Sequence, residues 1–201
     1  MTKLNPFAMQ DRNRRTQFAG FPHSTSVALF SLALLFAHAA YGDIDADLIE
    51  ATKTGDTAKV EQLLKQGADA NAKNDKGTTV LMWAAYKSYT EAIKTLINAG
   101  ADPNAETEDG WTAVMDAAVF GDTATVKTFI DAGADINGKQ RDGKTVLMWA
   151  AERGRTENVI VLIGAGVNTN AKTKDGKNAL TMAAEEGHTE IVHILKEAGA
   201  R

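Results

Sequence analysis

The chain contains no cysteine. That excludes a disulfide framework, a thiolate zinc site and a cysteine nucleophile. Histidine is scarce as well, with four in 201 residues, and two of these, His23 and His38, fall within the first 42. The hydrolase pattern Gly-x-Ser-x-Gly, the phosphate-binding Gly-x-x-x-x-Gly-Lys-Ser/Thr and the zinc-binding His-Glu-x-x-His are all missing. His188 and His193 stand five residues apart, which splays them around a helix instead of placing them on one face. The acids Glu185-Glu186 and Glu106/Glu108/Asp109 lack an Asp-x-Asp-x-Asp-Gly loop and read as solvated surface. No catalytic residue, metal or cofactor is expected. What remains is ordinary globular composition: 44% hydrophobic, 24% charged, net charge −4.

A long apolar run is also missing. The strongest one, residues 27–37, has 11 residues, whereas a membrane-spanning helix needs about 20. It follows a segment carrying Lys3, Arg12, Arg14 and Arg15 against one acid, Asp11. Small-x-small triplets follow it, Ala37-His38-Ala39 and Ala40-Tyr41-Gly42. Basic segment, short apolar run and small-residue site together predict a secretory signal peptide over residues 1–42, cleaved near 39/40 or 42/43. The competing reading is an uncleaved anchor. Arg14-Arg15 suggests a twin-arginine signal, but Gln17 stands where a hydrophobic residue is usual. A start at Met9 would shorten the basic segment. The expected compartment is the periplasm or the exterior. The mature chain would hold 18 basic and 25 acidic side chains, a net of −7. Such a surface disfavours phosphate backbones and anionic membranes, so neither nucleic acid nor membrane is an expected partner.

From Asp43 onward the sequence repeats. Gly77, Gly110, Gly143 and Gly176 are spaced by 33 residues. Gly67, Gly100, Gly133, Gly166 and Gly199 keep the same step, and so do Gly55, Gly121, Gly154 and Gly187, with Ser88 in the missing slot. A fixed period in this range means a repeat architecture. Each unit opens on a helix-capping Thr or Asn: Thr79-Val80-Leu81-Met82-Trp83-Ala84-Ala85 is echoed from Thr112, Thr145 and Asn178. The paired alanines allow close helix approach. The third glycine series predicts a left-handed end to this short helix. A second helix follows, with apolar residues at helical spacing, as in Val60/Leu63/Leu64 and Ile93/Leu96/Ile97. It ends in Gly67-Ala68-Asp69-Ala70-Asn71, echoed at Gly100 and Gly133. A turn-rich, hairpin-like finger then leads to the next unit.

The unit resembles the ankyrin repeat, whose pattern runs Gly-x-Thr-Pro-Leu-His-x-Ala-Ala, two helices, then Gly-Ala-Asp-x-Asn. The resemblance covers residues 43–201 and implies an all-α repeat solenoid of five helix-loop-helix units, about 43–75, 76–108, 109–141, 142–174 and 175–201, with a concave binding face. Val80, Ala113, Val146 and Ala179 replace the proline, and Met82, Met115, Met148 and Thr181 replace the histidine. The usual histidine hydrogen bond is then lost, with a looser stack expected. The methionine pattern resembles that of exported bacterial ankyrin proteins. Gly166-Val167-Asn168-Thr169-Asn170 predicts an altered fourth turn. The first and last units read as caps, because Thr52 replaces an alanine and Lys196 stands in the slot of Leu64, Ile97, Ile130 and Ile163.

Comparing units locates a candidate site. One slot holds Glu50, Trp83, Asp116, Trp149 and Met182; its acids predict that it faces water and that both indoles are accessible. The end of the first helix holds Tyr86-Lys87, Val119-Phe120 and Glu152-Arg153 in successive units, and only the third has two apolar residues. The slot after the finger glycine holds Thr78, Trp111, Lys144 and Lys177. In ankyrin folds these slots line the concave face, so the resemblance implies a protein-binding surface of Trp83, Tyr86, Trp111, Asp116, Val119, Phe120, Trp149 and Arg153. Trp, Tyr and Arg are common at interface centres. The alternative is that the rings pack flat over neighbouring helices. Tyr89, beside the odd Ser88, replaces the polar Asp56, Asp122, Arg155 and His188 of the other units, and is open between a surface aromatic and a local change in helix ending. The expected function is a monomeric, non-catalytic module that binds a protein, with an exported enzyme as one candidate partner. The alternatives are a general envelope scaffold, a host-directed effector or a cryptic hydrolase.

Overall fold

The computed structural model describes residues 43–201, so the leader expected over residues 1–42 lies outside the described residues. Among the described residues there are ten helices and no strand. They are α1 (Ile44–Thr54), α2 (Thr57–Lys65), α3 (Val80–Tyr86), α4 (Thr90–Asn98), α5 (Ala113–Phe120), α6 (Thr123–Asp131), α7 (Val146–Glu152), α8 (Thr156–Gly164), α9 (Ala179–Glu185) and α10 (Thr189–Glu197). They form five consecutive antiparallel-type pairs. The odd-numbered helices pack side by side in one row and the even-numbered helices in a second. This is an all-α repeat solenoid.

The alanine pairs explain the first row. Ala84-Ala85, Ala117-Ala118 and Ala150-Ala151 are fully buried, so each short helix presents its neighbour with a surface no larger than a methyl group. The larger core side chains come from both rows and include Leu81, Met115, Leu147, Ile93, Phe129 and Leu162. Thr52, in the alanine slot of α1, is buried too and donates its hydroxyl to the Leu48 carbonyl at 2.8 Å. The methionines in the histidine slot are buried, and the Met82 sulfur accepts the Thr79 N–H at 3.4 Å.

Helix starts follow the sequence with one exception. The side chains of Thr79, Thr145 and Asn178 accept the N–H three residues on. Thr112 makes no such bond, and its hydroxyl is buried without a partner. The fingers hold single antiparallel bridges, Lys73 to Thr79, Glu106 to Thr112 and Lys139 to Thr145.

The turn motif joins the pairs. The Asp69, Asp102 and Asp135 carboxylates accept the N–H groups of Asn71, Asn104 and Asn137, each at 2.8 Å. Those asparagines then accept the N–H of Asp102, Asp135 and Asn168 in the following turn, at 2.8, 2.7 and 2.8 Å. Asn168 performs the aspartate's task, accepting from the Asn170 N–H at 3.0 Å. The altered fourth turn expected from sequence is therefore not found, because an amide oxygen accepts that bond as a carboxylate does.

The glycines ending the first helices depart from expectation once. Gly55, Gly154 and Gly187 are left-handed, and so is Ser88 (φ 57°). Gly121 is not; its φ is −82° and ψ 173°. Helix α5 therefore runs through Phe120, one residue further than α3 and α7. The fourth pair takes up the carbonyls left at its end. Asn158, itself buried, donates to the Ala118 carbonyl at 3.0 Å and the Gly121 carbonyl at 3.4 Å, and Arg155 Nε donates to the Val119 carbonyl at 2.6 Å. The Ser88 exception has a local cause. A Cβ on Gly55 would fall 2.7 Å from the Tyr89 ring, and one on Gly154 would fall 2.6 Å from the His188 ring. The equivalent residue facing Ser88 is Asp122, whose carboxylate instead caps the Thr125 N–H at 2.8 Å, and whose own N–H donates to Ser88 Oγ at 3.3 Å.

Candidate protein-binding face

The first-helix row and the finger bases carry the residues singled out above. Tyr86 ends α3 and Phe120 ends α5. Both are exposed, at 41% and 48%, and their rings meet edge to face with centroids 4.7 Å apart. Lys87 Nζ lies 5.2 Å from the Tyr86 ring centroid. The extra helical residue in α5 is what carries Phe120 to this position.

A second group sits at the finger bases. Trp111 and Trp149 are half-buried and pack edge to face with centroids 5.0 Å apart. Trp149 is held from several sides. Its indole N–H donates to Gln140 Oε1 at 2.6 Å, Lys144 Nζ lies 3.4 Å from its ring centroid, and the exposed Arg153 guanidinium lies 5.7 Å away. Trp83 is half-buried beneath Lys53, whose Nζ lies 5.2 Å from the ring, and its indole N–H is buried without an acceptor.

Two sequence expectations need correction. Val119 does not reach the surface, being only 3% exposed. It points into the row because α5 continues past it and turns Phe120 outward instead. The Glu50–Met182 slot is not uniformly water-facing either. Glu50 is exposed, Trp83, Asp116 and Trp149 are half-buried, and Met182 is buried. Charge at one unit was taken to mean exposure at every unit, yet Asp116 is itself largely desolvated. Burial pushes its pKa from 3.8 to about 7, opposed by a hydrogen bond from the Trp111 side chain.

Residue-by-residue comparison missed Lys144 and Glu152. Lys144 is buried, and its Nζ pairs with Glu152 at 2.7 Å. Lys177 and Glu185 repeat the pair one unit later, at 2.6 Å. The shared offset of eight residues was a readable signal, since a lysine after the finger glycine recurs with a glutamate at the end of the first helix. Among the described residues no three metal-ligating side chains come together, and no helix is long and apolar enough to cross a membrane.

The two-helix pairs, the bridged fingers and the Asp/Asn turn ladder are now joined by a direct sequence comparison. A family profile described as ankyrin repeats (3 copies) matches residues 48–140 and 115–201. The chain belongs to the ankyrin-repeat family. Comparison with curated proteins gives no match. Ankyrin repeats are protein–protein interaction modules and typically lack catalysis of their own.

Proposed function

We propose that this protein is an exported, monomeric, non-catalytic binding module that grips a protein partner through the aromatic part of its first-helix face and sequesters or inhibits an exported enzyme. The observation that carries this reading is the Tyr86–Phe120 pair. Two large rings stand exposed at the ends of adjacent helices, in slots where most other units place lysine, glutamate or arginine. Paired exposed rings of this kind mark interaction sites. The leader pattern of residues 1–42 supports export, and the net −7 of the remaining chain supports a partner with a basic patch.

The test is affinity for the partner recovered by cross-linking in the native source. Tyr86→Ala/Phe120→Ala truncates two side chains outside the buried core, so the fold is expected to be retained, checked by circular dichroism. Each truncated ring at an interface centre is worth ~2 kcal/mol, so the double variant should bind roughly 100-fold or more weakly. A partner bound equally by both forms rejects this face.

A further inference from the structure

Residues 83, 116 and 149 occupy one slot, 33 residues apart, on the neighbouring helices α3, α5 and α7. Asp116 therefore lies between Trp83 on one side and Trp149 on the other. The finger residue Trp111 stands beside them, with its ring against Trp149 and its side chain near enough to the Asp116 carboxylate to oppose the rise of its pKa. The chain has three tryptophans; two stand in the Asp116 slot of the flanking helices and the third is on the adjoining finger.

Three acids of the other first helices have their own counter-ions. Glu50 pairs with Lys53 at 3.4 Å, Glu152 with Lys144 at 2.7 Å and Glu185 with Lys177 at 2.6 Å. Asp116 has none among the described residues. No cation offsets its desolvation, which only the Trp111 side chain opposes. It is nonetheless half-buried rather than sealed, so a group from outside can reach it. The indoles of this face already attract cations, as Lys144 over Trp149 and Lys53 over Trp83 demonstrate. Lys144 does not serve Asp116, because its ammonium is committed to Glu152.

We propose that Asp116, walled by Trp83, Trp111 and Trp149, is the receptor for an arginine side chain of the protein partner. This rests on the reading that a protein docks on this face. Arginine fits better than lysine for three reasons. A planar guanidinium can stack on an indole while it bonds a carboxylate bidentately. It is also more weakly hydrated than an ammonium, so a half-buried site costs it less to enter.

The experiment is a titration of the ¹⁵N-labelled full chain at pH 8.5, where Asp116 is ionised. The probes are the capped tripeptides acetyl-Gly-Arg-Gly-amide, its lysine analogue and its citrulline analogue, the last a neutral isostere of arginine. Three indole N–H signals report directly on the three walls. The arginine peptide should shift them saturably, the lysine peptide should bind several-fold more weakly, and citrulline at least 10-fold more weakly. Asp116→Asn, which keeps the side-chain volume, should abolish the response while its own spectrum stays folded. Glu185→Gln, on the same row two helices away, should leave the response intact. Equal binding of citrulline, equal binding of lysine, an undiminished Asp116→Asn response, or its loss in Glu185→Gln would each overturn the assignment. If the peptides fail while partner affinity still falls in Tyr86→Ala/Phe120→Ala, the arginine receptor is wrong and the binding face stands.

Discussion

At the scale of single residues, Asp116 makes the stability of this protein depend on pH in an unusual direction. Its carboxyl titrates near 3.8 when unfolded and at about 7 when folded. Between those values the folded state holds more protons than the unfolded state, so stability is full below pH 4 and falls as pH rises through about 7. Each tenfold change in proton affinity is worth ~1.4 kcal/mol, so the loss amounts to ~4 kcal/mol in this group's contribution. Asp116→Asn has no proton to lose. The expected result is that urea midpoints of wild type and variant converge near pH 4 and separate towards pH 8, with the variant the more stable. Parallel curves would show that the carboxyl is not desolvated. Phe129 illustrates the opposite kind of residue, fully buried and apolar. Phe129→Ala should cost ~3–5 kcal/mol at every pH, measured by the same denaturation.

At the scale of elements, the helices of this protein are finished by their neighbours. Helix α5 lacks a left-handed end, and its last carbonyls are bonded by Asn158 and Arg155 from the next pair. Asn158→Ala leaves those carbonyls without a donor, at an expected cost of ~1–3 kcal/mol in chemical denaturation. The glycine slots offer a matched comparison. Gly154 and Gly187 share nearly the same backbone angle, φ 67° and 75°. Nothing lies within 4 Å of a Cβ on Gly187, whereas the His188 ring lies 2.6 Å from one on Gly154. Gly187→Ala should cost only the ~1 kcal/mol of a left-handed alanine. Gly154→Ala must also displace His188 and its 3.1 Å bond to the Glu152 carbonyl, so its melting temperature should fall further.

At the scale of the whole molecule, stability is carried from pair to pair. The Asn71, Asn104, Asn137 and Asn170 amides link each turn to the next, and the His188 and Arg155 side chains link helix ends. The main helix contacts run within a pair or to the adjacent pair, so a local loss should stay local. His188→Ala should speed amide hydrogen exchange in α9 and α10 while α3 to α6 keep their protection. Uniform acceleration along the chain would mean that the pairs unfold together.

The repeat period, the helix pairs and the fingers were legible in the residues, because each depends on contacts within one unit or between identical slots of adjacent units. Spacing alone sets those contacts. What spacing could not supply was the individual environment of a slot. Val119 is buried and Phe120 exposed because α5 gains one residue at Gly121, and that gain depends on Asn158 and Arg155 about 40 residues away. Asp116 reads as a surface acid until Trp111 and the flanking helices close around it. Periodicity determined the fold, since local chemistry repeats. Only packing between non-identical neighbours decided which rings and which carboxylate meet the solvent.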